Sequence, residues 1–288
     1  MENKHMNDSK FLKTNYHTHS TFCDGKASPE EMIKAAIEKK FDILGFSGHS
    51  MFPFASDWHI PCKEHKTYAN EIRRLADIYK DKIELCLGFE ADFIEGVCSP
   101  NMKSFSLFKP DYLIGSVHYV PGSKGYFEAD GGFEETRERI KKYFGGNVKK
   151  AVQAYFSSQR EMLSKGDFNI WGHPDLIRKQ NAKSILFRED EIWYKKELKS
   201  TAKAASKAGV CAEINTGGMA RGYLNTPYPS LHFLEILHDY NVPVTINSDA
   251  HSPENLDFAF EEAKSLAKKA GYTEMEFYTA GSWKFQNI

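Results

Sequence analysis

The stretch Thr14–Cys23, TNYHTHSTFC, decides how the rest of the chain is read. In an extended segment alternate side chains share a face, so His17 and His19 present both imidazoles to one side. Two histidines so placed reach one cation, at bond lengths of about 2 Å, only where the strand ends and the gap between them stays open. Asp24-Gly25 and Ser28-Pro29-Glu30-Glu31 follow at once, a loop handing over to a helix through a serine N-cap and a proline in the first turn. An ordinary strand holding two histidines would look the same. The later segments separate the two readings.

Pro29–Lys40 carries an apolar stripe (Met32, Ile33, Ala35, Ala36, Ile37) with acids first and lysines last, as a helix dipole favours. The run Asp42–Ser47 then ends in Gly48-His49, a second strand with a histidine at its C-terminal end. Ser50–Pro61 holds Met51, Phe52, Pro53, Phe54 and Trp58, too apolar for a solvated turn, and is expected to fold over something. A helix over Lys63–Lys80 leads to Ile83–Phe89, a strand ending in Glu90. Tyr112–Val117 ends in His118, and Phe168–Gly172 ends in His173-Pro174-Asp175. Val210–Asn215 feeds the glycine loop Thr216–Arg221, and Pro243–Asn247 runs into Ser248-Asp249-Ala250-His251. Further helices are predicted over 146–165, over 191–207 with Gly209 as the stop, over 230–240 and over 253–270. The glycine-rich, charged segment 122–146 reads as an irregular excursion of no evident role.

Alternating strands and helices call for a parallel sheet with helical crossovers. Open doubly wound sheets gather ligands at one switch point. Here six of seven inferred strands end in His, Glu or Asp, as at the mouth of a closed barrel. The expected fold is α/β, a (β/α)7 barrel that is a distorted relative of the eight-stranded form. Its metal site lies at the C-terminal mouth, in one domain over residues 1–288 with a core of about 14–270.

The composition is that of an ordinary globular chain: 41% hydrophobic, 14% aromatic and a net charge of −1 over 288 residues. Scattered lysine pairs such as Lys39-Lys40 and Lys195-Lys196 make no basic stripe, so a nucleic-acid partner is not expected. Five cysteines with no C-x-x-C spacing argue against a disulfide framework. The N-terminal MENKHMNDSK lacks an apolar core, and no run approaches the roughly 20 apolar residues of a membrane span. The expected compartment is the cytoplasm.

The polar strand ends and their loops supply nine candidate ligands: His17, His19, Asp24, His49, Glu90, His118, His173, Asp249 and His251. A single ion needs three or four protein groups, so nine imply two or three ions sharing a carboxylate. The other histidines, His5, His59, His65, His232 and His238, read as surface or helix residues, His59 alone lying near enough to the aromatic loop to merit a test. Cys86 and Cys98 read as core or loop thiols.

The pattern His-x-His with a following Asp, Gly-His, Gly-Phe-Glu, Ser-Val-His, Gly-His-Pro-Asp and Ser-Asp-Ala-His resembles the PHP (polymerase and histidinol phosphatase) family, and within it the monofunctional histidinol-phosphatase branch. The resemblance implies a trinuclear centre of Zn, Fe or Mn ions and hydrolysis of a small phosphate monoester, L-histidinol phosphate, by a metal-bridging hydroxide. It assigns one ion to His17, His19, Glu90 and Asp249, a second to Glu90, His118 and His173, and a third to Asp24, His49 and His251. Some members carry histidine where this chain has Asp24, and a carboxylate there favours harder ions such as Mn or Fe. Glu90 and Asp249 are the expected catalytic carboxylates, Asp249 also a conceivable proton donor to the leaving alkoxide.

Arg178, after His173-Pro174-Asp175, and Arg221, in the glycine loop, are the expected phosphate-binding cations. The aromatic loop either packs over the substrate or plugs the core. Competing readings are a PHP phosphoesterase acting on a nucleotide or other small monoester, a metal-dependent amidohydrolase, and a barrel that stores or senses metal. The amidohydrolase reading suffers from Glu90 at strand three and from the absence of a lysine at the end of strand four.

Overall fold

The computed structural model describes residues 11–288; His5 and the N-terminal decapeptide discussed above lie outside them. In chain order the strands are β1 (Thr14–Asn15), β2 (Ile43–Phe46), the two-residue β3 (His49–Ser50), β4 (Glu84–Asp92), β5 (Tyr112–Ser116), β6 (Tyr119–Gly122), β7 (Gly125–Glu128), β8 (Ile170–Trp171), β9 (Cys211–Asn215), β10 (Val244–Asn247), β11 (Glu274–Thr279) and β12 (Ser282–Asn287). The helices are α1 (Pro29–Glu38), α2 (His65–Tyr79), α3 (Met102–Phe105), α4 (Phe133–Phe144), α5 (Val148–Lys165), α6 (Ile192–Ala208), α7 (Gly217–Ala220), α8 (Leu231–Asp239) and α9 (Phe260–Lys269).

Seven parallel strands follow one another in the order β1-β2-β4-β5-β8-β9-β10. The ring is nearly closed, as the strand series predicts. Its seam, between first and last strands, is stitched by main chain just beyond the regular ladder: His19 N donates to Ala250 O at 2.9 Å and Ala250 N to His17 O at 3.2 Å. Tyr16 N donates to the Asn247 side chain at 2.8 Å. The seam thus lies beside the His17-x-His19 pair.

Local signals act as expected. The Ser28 side chain accepts from Glu31 N while the Glu31 carboxylate accepts from Ser28 N, a capping box that starts α1 after Pro29. Gly209 ends α6 in the left-handed conformation. Between sheet and helices lies an apolar shell that includes Ile33, Leu75, Phe89, Tyr155 and Leu234. Inside the barrel a second cluster holds Tyr16, Ile43, Cys86, Tyr112, Ile114, Ile170 and Phe277. The Tyr112 side chain lies so close to the backbone at Gly45 and Gly88 that a Cβ there would come within 2.4 Å of its hydroxyl and its ring, respectively.

Three expectations need correction. The excursion 122–146 completes a hairpin, β6 to β7, and carries helix α4, its backbone pairing satisfied across Tyr119–Glu128. The last predicted helix is broken: a 3-10 turn at Pro253–Asn255 precedes α9, with Ala259 at φ 55° between them. The chain past residue 270, outside the expected core, forms the antiparallel hairpin β11–β12. Its Phe277 enters the barrel interior, and Tyr278 and Trp283 pack against that cluster. Among the described residues no helix is long and apolar enough to cross a membrane.

Candidate metal centre

All nine candidate ligands converge at the C-terminal end of the barrel. Strand length explains how: β4 runs to Asp92, longer than its neighbours, and carries the fully buried Glu90 into the middle of the mouth. The Glu90 Oε2 atom lies 3.1 Å from His17 Nε2, 3.6 Å from His19 Nε2 and 2.6 Å from His49 Nδ1. Its Oε1 lies 2.8 Å from His173 Nε2 and 3.4 Å from His118 Nε2. Five histidines therefore surround one carboxylate.

Asp249 Oδ1 faces His19 Nε2 at 3.1 Å and His17 Nε2 at 3.7 Å. Asp24, from the first loop, meets His251 Nε2 at 3.2 Å and His49 Nε2 at 3.5 Å. Three overlapping sets are close enough to hold a cation: His17, His19 and Asp249; His49, Glu90 and His118; and His19, Asp24, His49 and His251. The sharing differs in detail from that implied by the resemblance, because the His49 ring reaches both Glu90 and Asp24.

The chemistry of these atoms fits divalent cations. His17 Nε2, His19 Nε2, His49 Nδ1, His173 Nδ1 and Glu90 Oε2 are buried without a hydrogen-bond partner, which is costly unless something else satisfies them. Two candidate ligands also sit on left-handed backbone, His173 at φ 25° and Asp249 at φ 51°. Each stores strain of about 1–3 kcal/mol, held by the surrounding fold.

Behind the ligands stand carboxylates that the sequence reading missed. Glu213, fully buried on β9, accepts from His17 Nδ1 at 2.9 Å, His173 N at 2.8 Å, Asn215 Nδ2 at 2.7 Å and Asn247 Nδ2 at 3.0 Å. Asp92 accepts from His118 Nδ1 at 2.6 Å. Both turn the far nitrogen of a ligand ring toward the centre. Burial disfavours the charged His118 ring, but Asp92 and Glu90 overcome that and hold it near 10. Burial pulls His19 down, aided by His251 and His49. Asp249 is held well below the ordinary carboxylate range because Arg221, His17 and His19 outweigh its burial, which suits an anionic ligand better than a proton donor.

The two arginines part company. Arg221 Nη2 donates to Asp249 Oδ2 at 2.9 Å, and the residue lines a cavity of about 300 Å³ that opens onto the ligands. Gly217 makes this pair possible, since a Cβ there would lie 2.8 Å from both Arg221 Nη2 and Asp249 Oδ2. Arg178 is turned away and does not line that cavity: its guanidinium donates to Glu189, to Pro227 O and to Thr226, and lies 3.6 Å from the buried Asp175. Its neighbour Lys179 lines the cavity instead, its Nζ held by Asp130 at 2.6 Å and lying 4.3 Å from the Tyr223 ring centroid.

The excursion thereby acquires a place, since Glu128 and Asp130 form part of the cavity wall. The aromatic loop divides: Trp58 lines the cavity, Phe52 packs on Phe105 and Phe108, and Phe54 is exposed. His59, expected at the surface or on a helix, is buried in the loop; His65 opens α2, as a helix residue, and is buried there. His65 bonds Ser50 Oγ at 2.7 Å, and His59 bonds Asp92 at 2.5 Å.

A profile of the PHP domain matches residues 15–217. The chain belongs to that family. A protein of Schizosaccharomyces pombe named "Probable histidinol-phosphatase" is 27% identical over 276 residues, covering 90% of this chain and 87% of its own. The histidinol-phosphatase of Lactococcus lactis is 26% identical over 279 residues, covering 93% of this chain and 94% of its own. The crystal structure of histidinol phosphate phosphatase from Lactococcus lactis, complexed with zinc, L-histidinol and phosphate, superposes with a TM-score of 0.74 at 20% identity, over 96% of this chain and all of that one. At that identity the superposition speaks for the fold, which is the PHP barrel.

Proposed function

We propose that this PHP protein is a metal-dependent phosphomonoesterase whose substrate is L-histidinol phosphate, which it hydrolyses to L-histidinol and phosphate. The observation that carries the reading is the cluster of nine candidate ligands, Glu90 at its centre, at the floor of a cavity whose wall also holds Arg221 and Lys179. Full-length relatives named histidinol-phosphatase support the substrate. Divalent ions, when bound, would lower the pKa of a water and neutralise phosphoryl oxygens. The three overlapping donor sets favour three ions, each Zn, Fe or Mn.

The chain's own groups supply the rest. Arg221 and Lys179 orient the phosphate dianion, Arg221 by its planar fork and Lys179 as a point charge. Glu90 and Asp249 stay ionised and hold the ions; Glu213 and Asp92 fix the His17 and His118 rings. Glu128 and Asp130 suit the cationic amino group of histidinol and disfavour a polyanionic nucleotide, which remains the second reading together with other small monoesters. Nucleic acid is not a proposed partner, the proposed compartment is the cytoplasm, and one barrel domain is proposed to carry the whole activity.

The test is a phosphate-release screen over a panel of monoesters, with Zn, Fe or Mn added back to chelated protein. Preference for histidinol phosphate is expected. Preference for a nucleotide would overturn the substrate, and no release from any ester would overturn the phosphatase reading.

A further inference from the structure

The aromatic loop is fastened to the metal centre through one residue that the proposed chemistry does not use. His59 is buried, and its Nδ1 accepts from the backbone N–H of Ser56 at 3.3 Å, with the Ser56 hydroxyl at 2.7 Å. A backbone N–H only donates, so Nδ1 is an acceptor and the ring proton sits on Nε2. That proton is given to Asp92 Oδ2 at 2.5 Å. The other oxygen of the same carboxylate, Oδ1, takes the Nδ1 proton of His118 at 2.6 Å. The His118 Nε2 atom is thereby turned toward Glu90, 3.4 Å away.

The neighbours of His59 make the connection two-way. Its ring is stacked on Trp58 with centroids 3.7 Å apart, and Trp58 stands edge-on to His49 at 4.7 Å and to His118 at 5.3 Å. Trp58 also lines the substrate cavity. Asp92 is therefore a buried carboxylate that joins the loop to the centre, one oxygen for each.

We propose that His59 is a positioning residue, a latch that holds the Trp58-bearing loop on Asp92 and through Asp92 fixes the ring of His118 for its ion. Without His59, Asp92 is left with a free buried oxygen and can rotate, and His118 loses its fixed tautomer. Partners that orient a metal-bound histidine typically change affinity 10–100-fold when removed. His59 acts one contact further out, so the lower end, about tenfold, is expected. The inference rests on the metal reading proposed above but on neither the substrate nor the reaction.

The test uses the full chain, freed of metal and titrated with Zn or Mn against a competing chelator, as wild type, His59→Ala, His59→Gln and Asp92→Asn. Hydrogen exchange over residues 51–61 and the ring-nitrogen NMR shifts of His118 are followed in parallel. His59→Ala is expected to weaken one class of ion about tenfold while sparing the others, to raise exchange in the loop, and to mix the His118 tautomers. His59→Gln, whose amide still donates to Asp92, should restore much of each, and it serves alone if the alanine variant does not fold. Unchanged ion affinities in both His59 variants would overturn the proposal, as would a loosened loop with an unshifted His118 spectrum. A wild type that binds no ion would overturn the metal reading itself, a result distinguishable from failure of the latch alone.

Discussion

The two ends of this barrel are built on opposite rules. At the mouth, His17, His19, His49, His173 and Glu90 present buried polar atoms that protein groups leave unsatisfied. At the floor, the C-terminal hairpin satisfies what it covers. The Tyr16 hydroxyl both donates to Tyr278 O and accepts from Tyr278 N, each at 2.8 Å, and Glu84 accepts from Thr279 Oγ1 at 2.6 Å and Ala280 N at 2.8 Å. Apolar Phe277 and Trp283 complete the seal. One end keeps bonding capacity in reserve for ligands, and the hairpin at the other commits these groups to the fold.

If the ends differ in this way, substitutions at the mouth should remove ions and activity, and substitutions at the floor should remove stability alone. The largest effect is expected for Glu90→Gln. It should abolish binding of more than one metal per chain and lower kcat/KM by about three orders of magnitude, equivalent to about 4 kcal/mol. Metal analysis beside phosphate release checks this, and loss of one ion or none would refute the shared role. Arg178→Ala sharpens the boundary, because Arg178 lies near the mouth in sequence yet is committed to the fold. It should cost about 3–4 kcal/mol in denaturant unfolding by leaving Asp175 buried without its ion partner, with KM unchanged.

At the floor, Phe277→Ala should cost about 3 kcal/mol through lost burial and a cavity, with metal content and kcat unaffected. A large fall in either would break the division between the ends. The smallest effect is expected for Arg221→Lys. It keeps the charge and loses the planar fork, so kcat/KM should fall about tenfold, equivalent to about 1.4 kcal/mol, with ordinary thermal stability.

How much of this was legible beforehand followed from periodicity. Strand alternation and strand-end chemistry pointed to the barrel and to eight of the nine candidate ligands, because a side chain that needs a mouth position sits where a strand ends; Asp24 came from the loop that follows the first strand. The same period of two would have exposed Asp92, two residues past Glu90 on the same face. A carboxylate in the middle of the apolar run Val210–Asn215 was likewise a sign that Glu213 points inward to a partner. Arg178 and Lys179 could not be told apart in this way. They lie on a 3-10 turn, Leu176–Asn181, where one residue step swings the side chain by about 120°. The hairpins β6–β7 and β11–β12 escaped because their places are set by contacts far away in sequence, and His59 because a buried loop histidine looks like any other until Asp92 is beside it.

The seam of the ring has a consequence for the life of the chain before it is complete. His17 and His19 emerge early in synthesis, whereas Asp249 and His251, which face them across the seam, emerge near the end. At roughly 5–20 residues per second, about ten to fifty seconds separate the two. Glu90, which also faces the early histidines, is made within that interval, but the side that Asp249 closes stays open until the end. The early pair therefore meets its full set of facing groups only when the last barrel strand is in place, and a chain that ends before Asp249 would leave one side of the His17–His19 pair uncovered.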